Sequence, residues 1–138
     1  MRVFLDTNVL LDVIEARPGL VEESSDVLTL AEGLQAELYI AWHSLATIYY
    51  LIRRGRSEQA AMAEIDQILA WANIAPVDSL SAVRARALKF PDFEDAMQCV
   101  CAESCQADMI ITRNTKDFIQ SPVLVLSPGE FLLRHAVL

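Results

Sequence analysis

The chain has 138 residues, of which 54% are hydrophobic, enough for one domain with a single core. Its 19 acidic residues outnumber its 11 basic ones, and the net charge of −8 argues against a protein that binds nucleic acid non-specifically through a basic surface. The four Gly and five Pro are spread out, without a linker, repeat or low-complexity tract, so we expect a single domain over residues 1–138.

The N-terminal segment and the apolar stretches favour a cytoplasmic protein. Asp6 interrupts the region where a signal peptide would be apolar. The longest run without a charged residue, 38–52, has 15 residues, fewer than the roughly 20 that a membrane helix needs. The odd number of cysteines, Cys99, Cys101 and Cys105, favours reduced thiols that serve as packing residues.

Short apolar runs alternate with helical patterns along the chain, which is typical of a parallel β-sheet covered by helices. Apolar residues recur at helical spacing around 27–34, 45–52 and 65–72. The chain is therefore predicted to have an α/β fold with a parallel sheet of about five strands. The predicted strands are 3–5, 38–41, 74–77, 109–112 and 123–126.

The first strand ends at a polar cluster. The segment "VFLDTN" places Asp6 directly after apolar residues, followed by Thr7 and Asn8. An ionised carboxylate that is removed from water is costly without a partner. We therefore expect a positive group near Asp6.

The segment "KFPDFEDAMQCVCAESC" predicts a helix that starts at Pro91 and Asp92. Asp92 and Asp95 are three residues apart and so share one face of its first turn, whereas Glu94 is expected to point away from them. This helix leads into the fourth predicted strand. Its N-terminal end is thus expected to lie over the carboxyl end of the sheet.

The fourth strand, in "MIITRNTKDF", also ends in polar residues. Functional sites of parallel α/β sheets form beyond the carboxyl ends of the strands. If the first and fourth strands are neighbours, Asp6 and Asp117 converge there. The polar residues that follow this strand are Thr112, Arg113, Asn114 and Asp117.

Aspartates that converge in a cleft repel one another, and a divalent cation relieves that repulsion. Oxygen ligands favour Mg²⁺ or Mn²⁺, ions that activate water and stabilise charge on a phosphoryl group. The alternative is that each acid acts alone. Asp6 and Asp92 would then be helix caps, Asp95 a favourable first-turn charge, and Asp117 a solvated turn residue.

Three segments, "FLDTNVLLD", "DFEDAMQ" and "ITRNTKDF", resemble in order and spacing the motifs of the PIN domain family, which includes the toxins of VapBC-type pairs and other ribonucleases. The resemblance extends from Val3 to about Phe131. It implies a Rossmann-like three-layer fold and an endoribonuclease that uses Mg²⁺ or Mn²⁺ to hydrolyse RNA. Such proteins are usually homodimers, and a small antitoxin protein neutralises the toxins among them.

The resemblance also implies roles for individual residues. Asp6, Asp95 and Asp117 correspond to the metal-binding acids of the family. The family often has a glutamate on the helix after the second strand, where "LATIYYL" places Thr47. We expect Asp92 to supply the missing charge as a fourth catalytic acid. The supporting polar positions correspond to Thr7, Asn8, Thr112, Arg113 and Asn114.

Basic residues near these motifs are candidates for contact with RNA. Arg113 or Lys116 would lie near the scissile bond, although either side chain is equally well explained as a surface charge. The cluster of Arg53, Arg54 and Arg56 would steer the substrate, although such clusters are more often solvated faces.

Two other interpretations stay open at this point. Haloacid-dehalogenase-like phosphatases also begin with an aspartate after a strand, but Asn8 stands where their general acid is required. The stronger alternative is a PIN-like module whose site, weakened at Thr47, binds RNA or a partner protein without cleavage. Nucleotide binding is disfavoured because the sequence has no glycine-rich phosphate-binding motif.

Overall fold

The computed structural model describes residues 1–136, which form a parallel sheet between two layers of helices. The strands are β1 (Arg2–Leu5), β2 (Glu37–Ile40), β3 (Ala72–Ile74), β4 (Met109–Ile111) and β5 (Leu124–Leu126). The helices are α1 (Thr7–Ile14), α2 (Val21–Gly33), α3 (Trp42–Gly55), α4 (Glu58–Trp71), α5 (Ser79–Ala87), α6 (Phe93–Ser104) and α7 (Pro128–His135), together with a 3₁₀ helix (Thr115–Phe118).

The strand order β3-β2-β1-β4-β5 makes the first and fourth strands neighbours. All four strand pairs are parallel, and Leu5 at the end of β1 is in register with Ile111 at the end of β4. The carboxyl ends of these two strands therefore lie side by side. The condition under which Asp6 and Asp117 were expected to converge is thus met, and the polar residues after both strands lie at one edge.

The sheet buries both of its faces because its strands are apolar throughout, which produces three layers. On β1, Val3 and Leu5 point into a core that includes residues of α1 to α4 and α7. Phe4 points to the other side and packs with residues of α5 and α6. The predicted α/β fold, with its Rossmann-like three-layer arrangement, is confirmed.

The third strand was predicted in the wrong place. It covers Ala72–Ile74 instead of 74–77, so only Ile74 is shared. Helix α4 ends at Trp71 and the chain passes directly into β3, which makes Ala72 a strand residue although the helical pattern had included it. A strand of three residues is too short to show a clear alternation of apolar and polar side chains.

Helices α5 and α7 were not predicted at all. Only Ala85 of α5 is buried, so its sequence lacks the apolar repeat that identifies a buried helix face. Both helices begin with a reciprocal capping box, formed by Asp78 with Ser81 and by Ser127 with Glu130. None of the helices within residues 1–136 combines the length and apolar character needed to cross a membrane.

Cys99 and Cys101 of α6, and Cys105 directly after it, are free thiols buried against one face of the sheet. Burial raises the pKa of the Cys101 thiol to about 12, and it also raises the pKa of Cys99 and Cys105. The thiols are thus protonated near neutral pH and act as small packing residues.

Candidate active site

Asp6 is a buried carboxylate at the carboxyl end of β1, where it precedes the first turn of α1. Only 2% of its surface is exposed. The hydroxyl of Thr112, at the end of β4, donates a hydrogen bond to Asp6 Oδ2 over 2.7 Å. Burial is the main cause that raises the pKa of Asp6 to about 6, and the Thr112 hydrogen bond opposes it. The positive charge of Arg113 lowers this pKa less than the Thr112 hydrogen bond does.

The first turn of α6 brings further acids to Asp6. Asp92 caps the helix by accepting a hydrogen bond from the backbone N–H of Asp95 over 3.1 Å. Burial, together with the negative charges of Asp92 and Asp6, raises the pKa of the half-buried Asp95 to about 7. Glu94 and Asp117 have smaller effects in the same direction. Acids from β1, α6 and the 3₁₀ helix therefore act on one another at this edge of the sheet.

A chain of buried polar side chains lies beside Asp6. The hydroxyls of Thr7 and Ser44 share a hydrogen bond of 2.6 Å, and the amide of Gln98 donates to Thr7 Oγ1 over 2.8 Å. All three side chains are almost fully buried. The network ties α1, α3 and α6 together next to the acids, which explains why Thr7 is polar at a buried position.

Glu94 also belongs to this network, a role that was not predicted from the sequence. Its Oε2 is 2.6 Å from Nε2 of His43 on α3, and it accepts a hydrogen bond of 2.7 Å from the amide of Gln98. Its charge also raises the pKa of both Asp6 and Asp95. Glu94 thus turns toward α3, and its charge still affects Asp6 and Asp95. Helical spacing had predicted only that it points away from Asp92 and Asp95. The signal in the sequence was the pair Glu94 and Gln98, four residues apart on one helix face.

Arg113 is placed against a buried acid of α1. Its Nε lies 2.8 Å from Oδ2 of Asp12, which is completely buried, and the hydroxyl of Ser24 donates to the same oxygen over 2.9 Å. Arg17 lies 3.6 Å from the other carboxylate oxygen. The ion pair anchors the segment after β4 to α1, so the contact that the structure shows for Arg113 is with the protein itself.

The remaining predicted residues surround the acids. Asn114 directs its backbone N–H to the Thr112 hydroxyl over 3.2 Å and so orders the loop that leads to Asp117. Asp117 and Lys116 are exposed in the 3₁₀ helix, and Asn8 is half-buried in the first turn of α1. Thr47 is exposed on α3, where its hydroxyl donates to the backbone carbonyl of His43 over 3.4 Å.

Two arginines of the predicted steering cluster pair with glutamates of helix α4. Arg53 lies 3.7 Å from Glu58 and Arg56 lies 3.9 Å from Glu64, and both arginines are about half exposed. Exposed pairs of this kind are weak and rearrange readily. They nonetheless reduce the positive charge that the cluster presents to solvent.

The donor set suits a hard divalent cation. The converging side chains offer only oxygen ligands, which Mg²⁺ and Mn²⁺ prefer. Burial is the main cause that raises the pKa of Asp6 and Asp95, and neighbouring negative charges add to it. Among residues 1–136, no three acidic, histidine or cysteine side chains are already grouped closely enough to hold an ion. A bound cation would have to draw the half-buried Asp95 and the exposed Asp117 toward the buried Asp6.

Without metal, replacing Asp95 with Asn should stabilise the protein above pH 7. Because the pKa of Asp95 is about 7 instead of 3.8, the folded protein retains a proton that the unfolded chain releases between these values. The wild type therefore loses stability as the pH rises through this range. We expect the variant to melt about 2–5 °C higher than the wild type at pH 8, with no such gain at pH 4. A pH series of thermal melts in EDTA measures this, and a constant difference across the series would contradict the assignment.

Known proteins share both the sequence pattern and the architecture. A model of the PIN domain matches residues 2–116, so Asp117 follows the matched segment directly. Ribonuclease VapC1 of Aquifex aeolicus (strain VF5) is 26% identical over 140 residues, which cover 96% of this chain and 94% of that protein. Two solved structures are also similar over most of their length.

The first of these structures is VapBC2 from Rickettsia felis bound to a DNA fragment from their promoter. It matches with a TM-score of 0.73 and 18% identity, covering 92% of this chain and 98% of that one. The second is a toxin–antitoxin complex from Klebsiella pneumoniae, with a TM-score of 0.70 and 26% identity over 91% of this chain and 97% of that one.

Proposed function

Because the chain belongs to the PIN domain family, we propose that it is a metal-dependent endoribonuclease that hydrolyses RNA phosphodiester bonds and acts as the toxin of a type II toxin–antitoxin pair. One observation carries the proposal. Asp6 is a buried carboxylate that accepts a side-chain hydrogen bond from a neutral hydroxyl, and acids from two other elements converge on it. A bound cation would stabilise the ionised form of a buried acid that has acidic neighbours.

Asp6, Asp95 and Asp117 would hold Mg²⁺ or Mn²⁺, with Asp92 as a further acid beside them. When bound, the ion activates water and stabilises charge on the phosphoryl group. The protein's own contribution is to position the ligands. The Thr112 hydroxyl fixes the orientation of Asp6, and the Asp92 cap fixes the turn that carries Asp95. The pair of Arg113 with Asp12 holds the loop that leads to Asp117.

The relatives support the proposed substrate and partner. VapC1 of Aquifex aeolicus is named a ribonuclease, and the Klebsiella pneumoniae structure, at 26% identity, is a toxin–antitoxin complex. By the same relationship we propose that this protein cleaves RNA in the cytoplasm, forms a homodimer and binds a small antitoxin protein.

The proposal is tested by incubating the purified protein with a set of labelled RNAs. We expect cleavage in Mn²⁺ or Mg²⁺ and none in EDTA. RNA binding without cleavage in any metal would instead favour the non-catalytic module that Thr47 suggested. For the toxin role, the product of a small neighbouring reading frame should co-purify with the protein and suppress cleavage, and its consistent failure to bind would contradict that role.

A further inference from the structure

We infer that Glu94, held in place by His43 and Gln98, is an additional metal-binding carboxylate that replaces the glutamate missing from α3. The inference rests on the proposed function and identifies one more ligand for the same site. It also changes the expectation that Asp92 supplies the missing charge.

Helix α3 cannot supply a carboxylate itself. Residues 42–55 include no Asp or Glu, and Thr47 is neutral and exposed. The Thr47 hydroxyl is turned to the helix backbone, where it donates to the carbonyl of His43. Any carboxylate on this side of the site has to come from another element.

Glu94 reaches α3 from the opposite helix. It lies in the first turn of α6 beside Asp95, and its Oε2 contacts Nε2 of His43 at 2.6 Å. His43 stands one helical turn before Thr47, so the contact brings the Glu94 carboxylate to the part of α3 where a glutamate is missing. Within residues 1–136, both hydrogen bonds of this carboxylate use Oε2, which leaves Oε1 for a further ligand.

The position of Glu94 is fixed by buried groups. Gln98 is fully buried, and its amide nitrogen donates both to Glu94 Oε2 and to the hydroxyl of Thr7, the residue after Asp6. This bridge keeps Glu94 close to Asp6. The charge of Glu94 raises the pKa of Asp6 by more than the charge of Arg113 lowers it. His43 and Gln98 are accordingly positioning residues, which hold a ligand without contacting the ion.

Asp92 already has a structural task. Its Oδ1 accepts the backbone N–H of Asp95 and caps α6. Moving this side chain toward an ion would weaken the cap and so the turn that carries Asp95. Glu94 does not cap the helix, because its partners are side chains of α3 and α6.

A calorimetric titration with Mn²⁺ alone tests the inference on the full chain. We compare wild type with Glu94→Gln and Asp92→Asn. Glu58→Gln is the matched control, since Glu58 is also an exposed first-turn glutamate whose side chain contacts α3, but at the other end of that helix. We expect Glu94→Gln to weaken Mn²⁺ affinity by about tenfold or more, and Glu58→Gln to leave it within about twofold of the wild type.

The positioning role of His43 has its own comparison. His43→Gln retains an N–H donor that reaches Glu94 and should keep most of the affinity, whereas His43→Leu removes the donor and should weaken Mn²⁺ binding. Circular dichroism confirms that each variant is folded. Equal affinity of both His43 variants and the wild type would overturn this role.

The outcomes separate the inference from the proposed function. If the wild type and Glu94→Gln bind Mn²⁺ equally, the inference is wrong and the metal-dependent function stands. A loss in Asp92→Asn but not in Glu94→Gln also overturns it and restores Asp92 as the replacement. If the wild type binds no Mn²⁺, both the inference and the metal-dependent function fail.

Discussion

Replacing Asp6 with Asn should lower RNA cleavage by at least about 100-fold, beyond the usual effect of losing a group that only supports a metal ligand. The variant lacks the charge around which the other acids converge. Its fold should survive, because the Asn carbonyl can still accept the hydrogen bond from Thr112. Removing a buried charge whose pKa is raised to about 6 also relieves the cost of ionising it at neutral pH.

Cleavage rates in Mn²⁺, with thermal melts for folding, measure this effect. Asp108→Asn is the matched control, because Asp108 is exposed at the amino end of β4 and likewise accepts a hydrogen bond, from the backbone N–H of Arg2 over 2.8 Å. We expect this control to cleave RNA like the wild type. A folded Asp6→Asn variant with wild-type activity would show that the cleavage site lies elsewhere.

Replacing Asp12 with Ala should lower the free energy of unfolding by about 3 kcal/mol. Breaking a buried ion pair is strongly destabilising because the surviving charge loses its partner, with typical costs of about 3–5 kcal/mol. Arg113 retains 26% exposure of its side chain, which places the expected value at the lower end of that range. The hydroxyl of Ser24 also loses its buried acceptor.

Urea denaturation at pH 7 measures the change, provided that the dependence on denaturant keeps its slope. Glu58→Ala, which breaks an exposed pair with Arg53, is the control and should cost at most about 1 kcal/mol. The double variant Asp12→Leu with Arg113→Met should regain much of the lost stability, because it leaves no buried charge unpaired. An Asp12→Ala variant as stable as the control would mean that this pair does not anchor the loop after β4.

The same loop links this stability effect to function. Arg113 precedes the residues that lead to Asp117, and Asn114 fixes the loop to Thr112. Losing the Asp12 contact would free the loop and with it the third proposed metal ligand. Arg113 was first proposed as a contact for RNA. Its contact with Asp12 is better explained as support for the loop that leads to Asp117.

The substitution at Thr47 is what distinguishes this chain from the pattern it otherwise follows. A site that had simply lost one carboxylate would be a poorer ligand for a cation, as the alternative of a non-catalytic module requires. The structure instead brings a carboxylate from α6 to the same region of α3 through His43. The Mn²⁺ affinity of the Glu94→Gln variant therefore tests whether the lack of a carboxylate at Thr47 weakens the site or is compensated by Glu94.

The sequence by itself determined the class of fold and the edge of the sheet at which the candidate site lies. Apolar runs that end in polar residues marked the carboxyl ends of β1 and β4, and helical spacing placed Asp92 and Asp95 on the first turn of α6. These features are local, because each depends on a few consecutive residues. The weakest predictions were also local ones: β3 is too short to show an alternation, and α5 lacks a buried apolar face.

Only the tertiary structure decided which side chains meet. Helical spacing predicted that Glu94 points in a different direction from Asp95. It could not predict that α3 lies in that direction or that His43 contacts Glu94 there. The pairing of Arg113 with Asp12 spans 101 positions and depends on the order of the strands. Such contacts join elements that are distant in sequence, and no periodicity records them, because periodicity describes one element and not its neighbours.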